Sequence, residues 1–407
     1  LGLRINAQQT AGVIQTYDRV KIPGDQLKAV DGIYDVRITA ELWETHFFDY
    51  AGLYAVDHPE GTEVFIDERF VFPAPDLSTQ IVTTPQPVGA VTDQDGNDLT
   101  ETVSEKDQRY IAPFQKTKYQ GLTEEHSIEI TLDNNGDRAN DNMLIMSGWL
   151  RPTDSSINLA LSQGSTEAPR GLKVEVSSGN SNWTVLHNNY GFPAGKLKTI
   201  LLDLDGALES QENRKVRLTT TTEIYWDSIL QAEKLSGDLI VERSLNPVKQ
   251  ELRFRGFSEW YRVDPVSPML PDYSQISSTA QRWRDLEGYH TRFGDVSELL
   301  TEIDDRYVIM NAGDEMLYEF EEAGPLAENH KRSFVFVSDG WVKDGDYNTE
   351  ASATVLPLPY HGQADYEYKA TGTLFDDPVY QQHAEDWVNY HTRYITPSVF
   401  RTALKFD

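Results

Sequence analysis

Lys215-Val216-Arg217-Leu218-Thr219-Thr220-Thr221-Thr222-Glu223-Ile224-Tyr225-Trp226 opens on a strict polar/apolar alternation and carries four consecutive threonines. A period of two sends Val216 and Leu218 to one face and Lys215 and Arg217 to the other, and β-branched threonines lose side-chain freedom in a helix, so the stretch predicts a half-buried strand. The same signature spreads outward in both directions. Alternating or β-branched runs bounded by Gly, Asp, Asn and Pro occupy 13–20, 34–40, 63–71, 127–132, 143–150, 172–176, 199–204, 251–257, 334–342 and 371–374. Short strands separated by turn residues predict a mainly β fold of two or three tandem β-sandwich or jelly-roll domains.

Helical spacing is confined to the last third, at 278–290, 295–303 and 378–391, with Asp295 as an N-cap and Glu298 three residues on. Pro-rich punctuation at 72–87, at 232–247 and at 264–271 suggests crossings between modules. The expected division is 1–120, 121–235 and 236–407, the last being the β-rich module with helices.

The chain has 407 residues, with 65 acidic against 36 basic side chains and a formal charge of −29. Such a field repels phosphate backbones and anionic headgroups, which argues against nucleic-acid and membrane-surface roles and leaves solubility, cationic partners or calcium. There is no cysteine, so disulfides, thiolate chemistry and cysteine-ligated metals are excluded. No run reaches the roughly 18 apolar residues of a spanning helix. The opening Leu1-Gly2-Leu3-Arg4-Ile5 lacks an initiator Met and reads as a strand, so an upstream segment with the targeting signal is expected.

Two internal echoes stand out. Met143-Leu144-Ile145-Met146-Ser147-Gly148-Trp149-Leu150-Arg151 and Phe334-Val335-Phe336-Val337-Ser338-Asp339-Gly340-Trp341-Val342-Lys343 both run from an apolar strand into Gly-Trp-aliphatic-basic. They are either related sandwiches or buried strands that converged on similar residues. Tyr289-His290-Thr291-Arg292-Phe293 and Tyr390-His391-Thr392-Arg393-Tyr394 follow the helical segments and read as packing at helix ends.

Three loops place oxygen ligands at alternate positions: Asp93, Asp95 and Asn97; Asp133, Asn135 and Asp137; Asp344, Asp346 and Asn348. A tight turn can converge such oxygens on calcium, although none has the glycine and distal acid of an EF-hand, and each can equally be an ordinary Asp/Asn turn. The nine histidines lack metal spacing, and hydrolase, zincin, P-loop and dinucleotide fingerprints are absent. His46, near Glu41 and Glu44, and His58, beside Pro59, are the candidates for acid–base work, with a structural hydrogen-bonding role as the alternative. Paired carboxylates for glycoside hydrolysis carry no signal in so acidic a chain. For sugar stacking the candidates are Trp183, Tyr190, Tyr225 and Trp226, the alternative being core rings.

The stretch Asp31-Gly32-Ile33-Tyr34-Asp35-Val36-Arg37-Ile38-Thr39, continuing through Ala55-Val56-Asp57-His58-Pro59-Glu60-Gly61-Thr62-Glu63-Val64, resembles the C-terminal region of bacterial FG-GAP repeat proteins of the ASPIC/UnbV, cartilage-acidic-protein-like type. The likeness runs on through Tyr119-Gln120-Gly121-Leu122-Thr123, Gly191-Phe192-Pro193 and Ile224-Tyr225-Trp226-Asp227 to Val355-Leu356-Pro357. It implies an extracytoplasmic fragment (secreted, cell-surface or periplasmic) that follows a calcium-decorated β-propeller. Tandem Asp-x-Asp-Gly-x-x-Asp blades are missing, so no propeller residues carry over. The expected function is a non-catalytic structural or interaction protein that assembles with a propeller partner or with copies of itself. Carbohydrate binding is the alternative, and hydrolysis a more distant one.

Overall fold

Strands form along most of the alternating runs in the computed structural model, which describes residues 16–134, 140–179, 182–193, 195–208, 212–346, 348–349, 351–363 and 372–396. The first strands are β1 (Tyr17–Ile22), β2 (Ile33–Thr39), β3 (Glu44–Pro59), β4 (Thr62–Phe65), β5 (Arg69–Phe70), β6 (Gln80–Thr83), β7 (Gln86–Pro87) and β8 (Ala90–Asp93). The middle of the chain holds β9 (Leu122–Thr131), β10 (Met143–Arg151), helix α1 (Ser155–Gln163), β11 (Lys173–Ser177), β12 (Thr184–His187), β13 (Phe192–Pro193), β14 (Lys198–Asp203) and β15 (Lys215–Ala232). After it come β16 (Val241–Ser244), β17 (Pro247–Phe254), β18 (Phe257–Tyr261), β19 (Leu270–Ser278), β20 (Gly288–His290), β21 (Gly294–Asp295), β22 (Val308–Met310), β23 (Asp314–Glu321) and β24 (His330–Asp344). Helices α2 (Pro378–Gln382) and α3 (Asp386–Asn389) and strand β25 (Arg393–Ile395) close the described chain. The protein is mainly β, with antiparallel sheets, helix α1 in the middle of the chain and the short helices α2 and α3 toward the C-terminus.

The sheets make two sandwich-like units. In the first, β1-β24-β3-β16 faces β2-β23-β17-β21, and the core between them includes Phe48, Leu53, Leu252, Met316, Tyr318, Phe334 and Phe336. In the second, β14-β10 lies along the C-terminal half of β15, while β11 and β9 flank its N-terminal half and β8 extends β9. Val91, Ile130, Leu144, Val174, Val216, Leu218 and Trp226 fill that core. Each fully buried aliphatic side chain contributes about 1.5–3 kcal/mol. The segment from β4 to β6 joins the units: Val64, Ile66 and Ile81 pack on Val56, Val335 and Val337 of the first, and Val82 and Phe65 on Met143, Ile145 and Leu201 of the second.

The two units share one plan. The order β1-β24-β3 matches β14-β10-β15, and β2-β23-β17 matches β15-β9-β8. Both Gly-Trp sequences lie in these equivalent strands. In β10 the register shifts between Ser147 and Gly148, leaving Asp227 as the extra residue on β15; in β24 it shifts between Asp339 and Gly340, leaving Asp49 on β3. A second likeness follows from the structure. Asp98-Leu99-Thr100-Glu101-Thr102-Val103-Ser104-Glu105-Lys106-Asp107-Gln108-Arg109-Tyr110-Ile111 lies where the other unit has Asp295-Val296-Ser297-Glu298-Leu299-Leu300-Thr301-Glu302-Ile303-Asp304-Asp305-Arg306-Tyr307-Val308, six of fourteen positions being identical. Asp98 caps Thr100 and Asp295 caps Ser297 through the same backbone and hydroxyl bonds. Chain order differs between the units: the second runs straight from β8 to β15, whereas β17–β24 begin the first and N-terminal β1–β3 complete it.

Several local expectations change. Residues 278–290 form extended chain and not a helix: Trp283 Nε1 donates to Glu41 O and Arg284 reaches Gly345 O and Ser352 O, so each side chain has its own partner instead of a shared helical face. In 295–303 only the 3₁₀ turn Ser297–Leu300 forms, and 378–391 divides into α2 and α3. Of the strand expected at 371–374, residue 371 lies outside the described residues, and Leu374 opens the 3₁₀ turn Leu374–Asp376. Helix α1 was not anticipated, although Asp154 caps it by accepting Ile157 N–H at 2.7 Å. Among the described residues no helix is long and apolar enough to cross a membrane.

Candidate functional site

Asp49 and Asp227 set the frame of the site. Each is the bulged residue of its unit's central strand and is fully buried. Asp227 Oδ1 accepts the N–H groups of Asp107 and Gln108 at 3.1 and 2.9 Å, and Asp49 accepts those of Asp304 and Asp305 at 3.2 and 3.1 Å. Gln108 and Asp305 both have positive φ, 70° and 67°, so the carboxylate supports a turn in which a non-glycine residue is strained. Burial pushes the carboxyl of Asp49 up to about 7 and that of Asp227 up to about 6, against the pull of those N–H groups.

The first unit adds charges that the second lacks. Asp305, Asp339 and His361 stand there, and the first two correspond to Gln108 and Ser147. His361 Nδ1 lies 2.6 Å from Asp305 Oδ1 and 3.5 Å from Asp49 Oδ2, while Nε2 lies 3.0 Å from Asp339 Oδ1. Trp341 packs edge-on against the imidazole at 4.4 Å, and Thr16 Oγ1 donates to Asp339 at 2.7 Å. Burial alone would lower the imidazole pKa, but hydrogen bonds and charge from Asp305 and Asp339 outweigh it and raise the value to about 10. A pKa of about 10 keeps the imidazole charged through the neutral range, where it bridges the carboxylates of Asp305 and Asp339. Asp49, Asp339 and His361 are also the one set of three metal-type ligands found close together among the described residues, with ligand atoms within 4.8 Å of one another.

The histidines expected to do acid–base work stand near opposite ends of β3 and do not meet. His58 is buried between Thr62 Oγ1 at 2.9 Å and Ser333 Oγ at 3.3 Å, and burial lowers its pKa to about 4. Burial likewise takes His46, 3.5 Å from Glu44, down to about 3. Both stay neutral at physiological pH.

At the calcium candidates, Asp93 Oδ1 accepts N–H groups from Asp95 and Asn97 and its Oδ2 accepts the Asn97 amide, forming a self-satisfied turn. Asn135 and Asp137 lie outside the described residues; beside them, Asp133 O and Asn134 Oδ1 accept from the buried guanidinium of Arg214, a cation supplied by the chain itself. Asp346 Oδ2 accepts from Ser155 N and Oγ at 3.2 Å, Asn348 donates to Ser156, and Asp344 accepts Asp346 N–H. This third loop fastens the end of β24 to the start of α1.

The aromatic candidates separate. Trp226 lies in the second unit's core, Tyr225 packs on Trp149 and Phe114 with its hydroxyl donating to Glu223, and Tyr190 donates to Leu201 O under the Arg69 guanidinium. These three are buried and offer no ring face to a ligand. Trp183 is half-buried, with the Arg217 guanidinium 3.8 Å from its ring centroid, and it lines a pocket of about 360 Å³. The two Tyr-His-Thr-Arg echoes prove to be partners, because β20 and β25 pair Tyr289 with Tyr394 and His290 with Arg393.

The Asp-x-Arg-Tyr repeat and His361 escaped the sequence reading. The first was visible as a 197-residue offset; the second was not, since its partners lie up to 345 residues away. No protein-family model matches the chain, and no curated protein matches it. Fold and site together define a mainly β protein of two equivalent sandwich-like units, one of which carries an added ionic knot.

Proposed function

We propose that the chain is a non-catalytic structural and interaction protein acting outside the cytoplasm, where it assembles with another folded chain, either a β-propeller partner or copies of itself. The arm made by β18 and β19 carries this reading. Tyr261, Val263, Val266, Met269, Tyr273 and Ile276 are all large, apolar and exposed within this one hairpin, and exposed apolar surface concentrated in one place marks contact with another protein. Among the described residues β18 and β19 pair only with each other, so apart from Tyr273 O, which accepts from Arg255, their outer edges carry backbone groups open to strand addition. The second unit has the short turn 94–97 in place of this arm, and the arm reaches across to that unit, where Ser267 Oγ accepts Tyr110 N–H and Tyr261 donates to Gln108. The positive charge that Asp305 and Asp339 hold on His361 at neutral pH favours a structural role for the most enzyme-like cluster.

Light scattering after size exclusion tests the proposal on the protein alone and mixed with a separately produced FG-GAP propeller. Self-association or a complex that is lost in Tyr273→Ser/Ile276→Ser supports it. A monomer that binds no propeller, or a complex indifferent to the arm, overturns it.

A further inference from the structure

The outward face of the second unit is built from alternate residues of three paired strands. Registers set Glu129 beside Arg217 and Arg217 beside Glu175, and in the next row Thr131 beside Lys215 and Lys215 beside Ser177. Their neighbours Ile128, Ile130, Val174, Val176, Val216 and Leu218 point into the core, so the strand period forces these polar groups outward. Trp183, just before β12, folds over that face onto Arg217. The pocket beside it is lined by Glu129, Ser177, Gly179, Trp183, Asn213 and Lys215.

We infer that this pocket binds an uncharged pyranose unit of a glycan, with Trp183 as the stacking platform. A sugar ring presents a C–H face that packs on an aromatic ring and a rim of hydroxyls that both donate and accept. The lining meets both needs: Glu129 accepts, Lys215 donates, and the Asn213 amide does both. The acceptor is held ready. Lys215 and Arg217 lie 2.6 and 3.3 Å from Glu129 and, despite its burial, keep its carboxyl below the usual range. The Arg217 guanidinium fixes the tilt of the indole, so little ordering is required when a ligand arrives. Charge selects the class. Glu129 pairs with Lys215 and Arg217, Glu175 stands on the other side of Arg217, and the whole chain carries −29, so the cations of this face already have carboxylates beside them and the field opposes uronate or sulfated chains as it opposes phosphate. This site is separate from the arm, so either proposal can fail alone.

Isothermal titration of the whole chain with cellotetraose, xylotetraose, mannotetraose and tetragalacturonate tests it. At least one neutral tetrasaccharide is expected to bind, with tetragalacturonate at least tenfold weaker. Trp183→Ala is expected to weaken binding at least tenfold with its melting temperature kept, and Lys215→Gln several-fold. Absence of binding by all three neutral sugars overturns the site, as does undiminished binding by Trp183→Ala. Equal or tighter binding of tetragalacturonate overturns the ligand class.

Discussion

Asp49 and Asp227 occupy the same place in two halves of one chain: each is the extra residue of a bulge, and each accepts two consecutive N–H groups from a turn whose second residue has positive φ. The shared role makes these carboxylates supports of the fold. What differs around them, His361 with Asp305 and Asp339, is where the units diverge in chemistry.

Asp227 Oδ2 finds no hydrogen-bond partner among the described residues. With its folded pKa raised to about 6, the folded state holds a proton that the unfolded chain releases near pH 4, so stability falls as pH rises between these values and levels off above about 6. Asp227→Asn keeps an oxygen for Asp107 and Gln108 without the buried charge. Its stability at pH 7 should equal or exceed that of the wild type, with the slope between pH 4 and 6 flattened. Asp227→Ala removes both bonds and should cost about 2–3 kcal/mol. Urea unfolding at several pH values checks both.

His361 behaves in the opposite sense. Its folded pKa of about 10 lies above the unfolded value, so its stabilisation is complete below about pH 6.5 and disappears as pH rises through 10. The side chain is one-third exposed, so screening reduces the gain, and His361→Ala should cost about 1 kcal/mol at pH 7. The difference from wild type should vanish above pH 10. An imidazole resonance that titrates near 6.5 would contradict the ionic knot.

Legibility in the sequence followed how each element is buried. Lys215 to Trp226 was readable because the first half of β15 buries one face and its side chains alternate. Strand β3 was not, although it is central to the first unit: it is buried on both faces, and His46, Asp49, Tyr50 and Gly52 break the apolar pattern. Apolar spacing at 278–290 suggested a helix because Trp283 and Leu286 recur at an interval of three, yet they serve different neighbours. The paired Gly-Trp echo was a true structural correspondence. Pairing between the ends of the chain, Tyr17 with Asp339 through Ile22 with Phe334, leaves no local trace.

Glu41 anchors the arm. Its carboxylate accepts from Ser258 N at 2.9 Å and Ser258 Oγ at 2.6 Å, and Arg255 lies 3.2 Å away, with both side chains under a tenth exposed. Arg255 also donates to Tyr273 O in β19. Glu41→Ala leaves Glu315 as the carboxylate beside Arg255 and should cost about 2 kcal/mol, below the usual value for a broken buried pair because that second carboxylate remains. The damage should be local. Proteolysis within 257–278 should accelerate while hydrogen exchange in β10 and β15 stays slow.

Gly340 and Gly148 occupy equivalent bulges but differ in what an added methyl group would meet. At Gly340 φ is +155°, and a Cβ would lie 2.1 Å from Phe47 O, a backbone atom of the central strand that cannot withdraw without breaking the sheet. At Gly148 the nearest atoms would be Trp226 Cε3 at 2.9 Å and Tyr225 O at 3.0 Å, with no positive φ to add strain. A ring edge can tilt by a few tenths of an ångström, although close packing around Trp226 limits it. Gly340→Ala should therefore cost more than about 3 kcal/mol, combining overpacking with backbone strain, and Gly148→Ala about 1–3 kcal/mol. Denaturant midpoints of the two variants measure the difference. Equal losses would mean that the bulge in β24 relaxes as readily as its counterpart in β10, and that the shared plan of the units extends to their compliance.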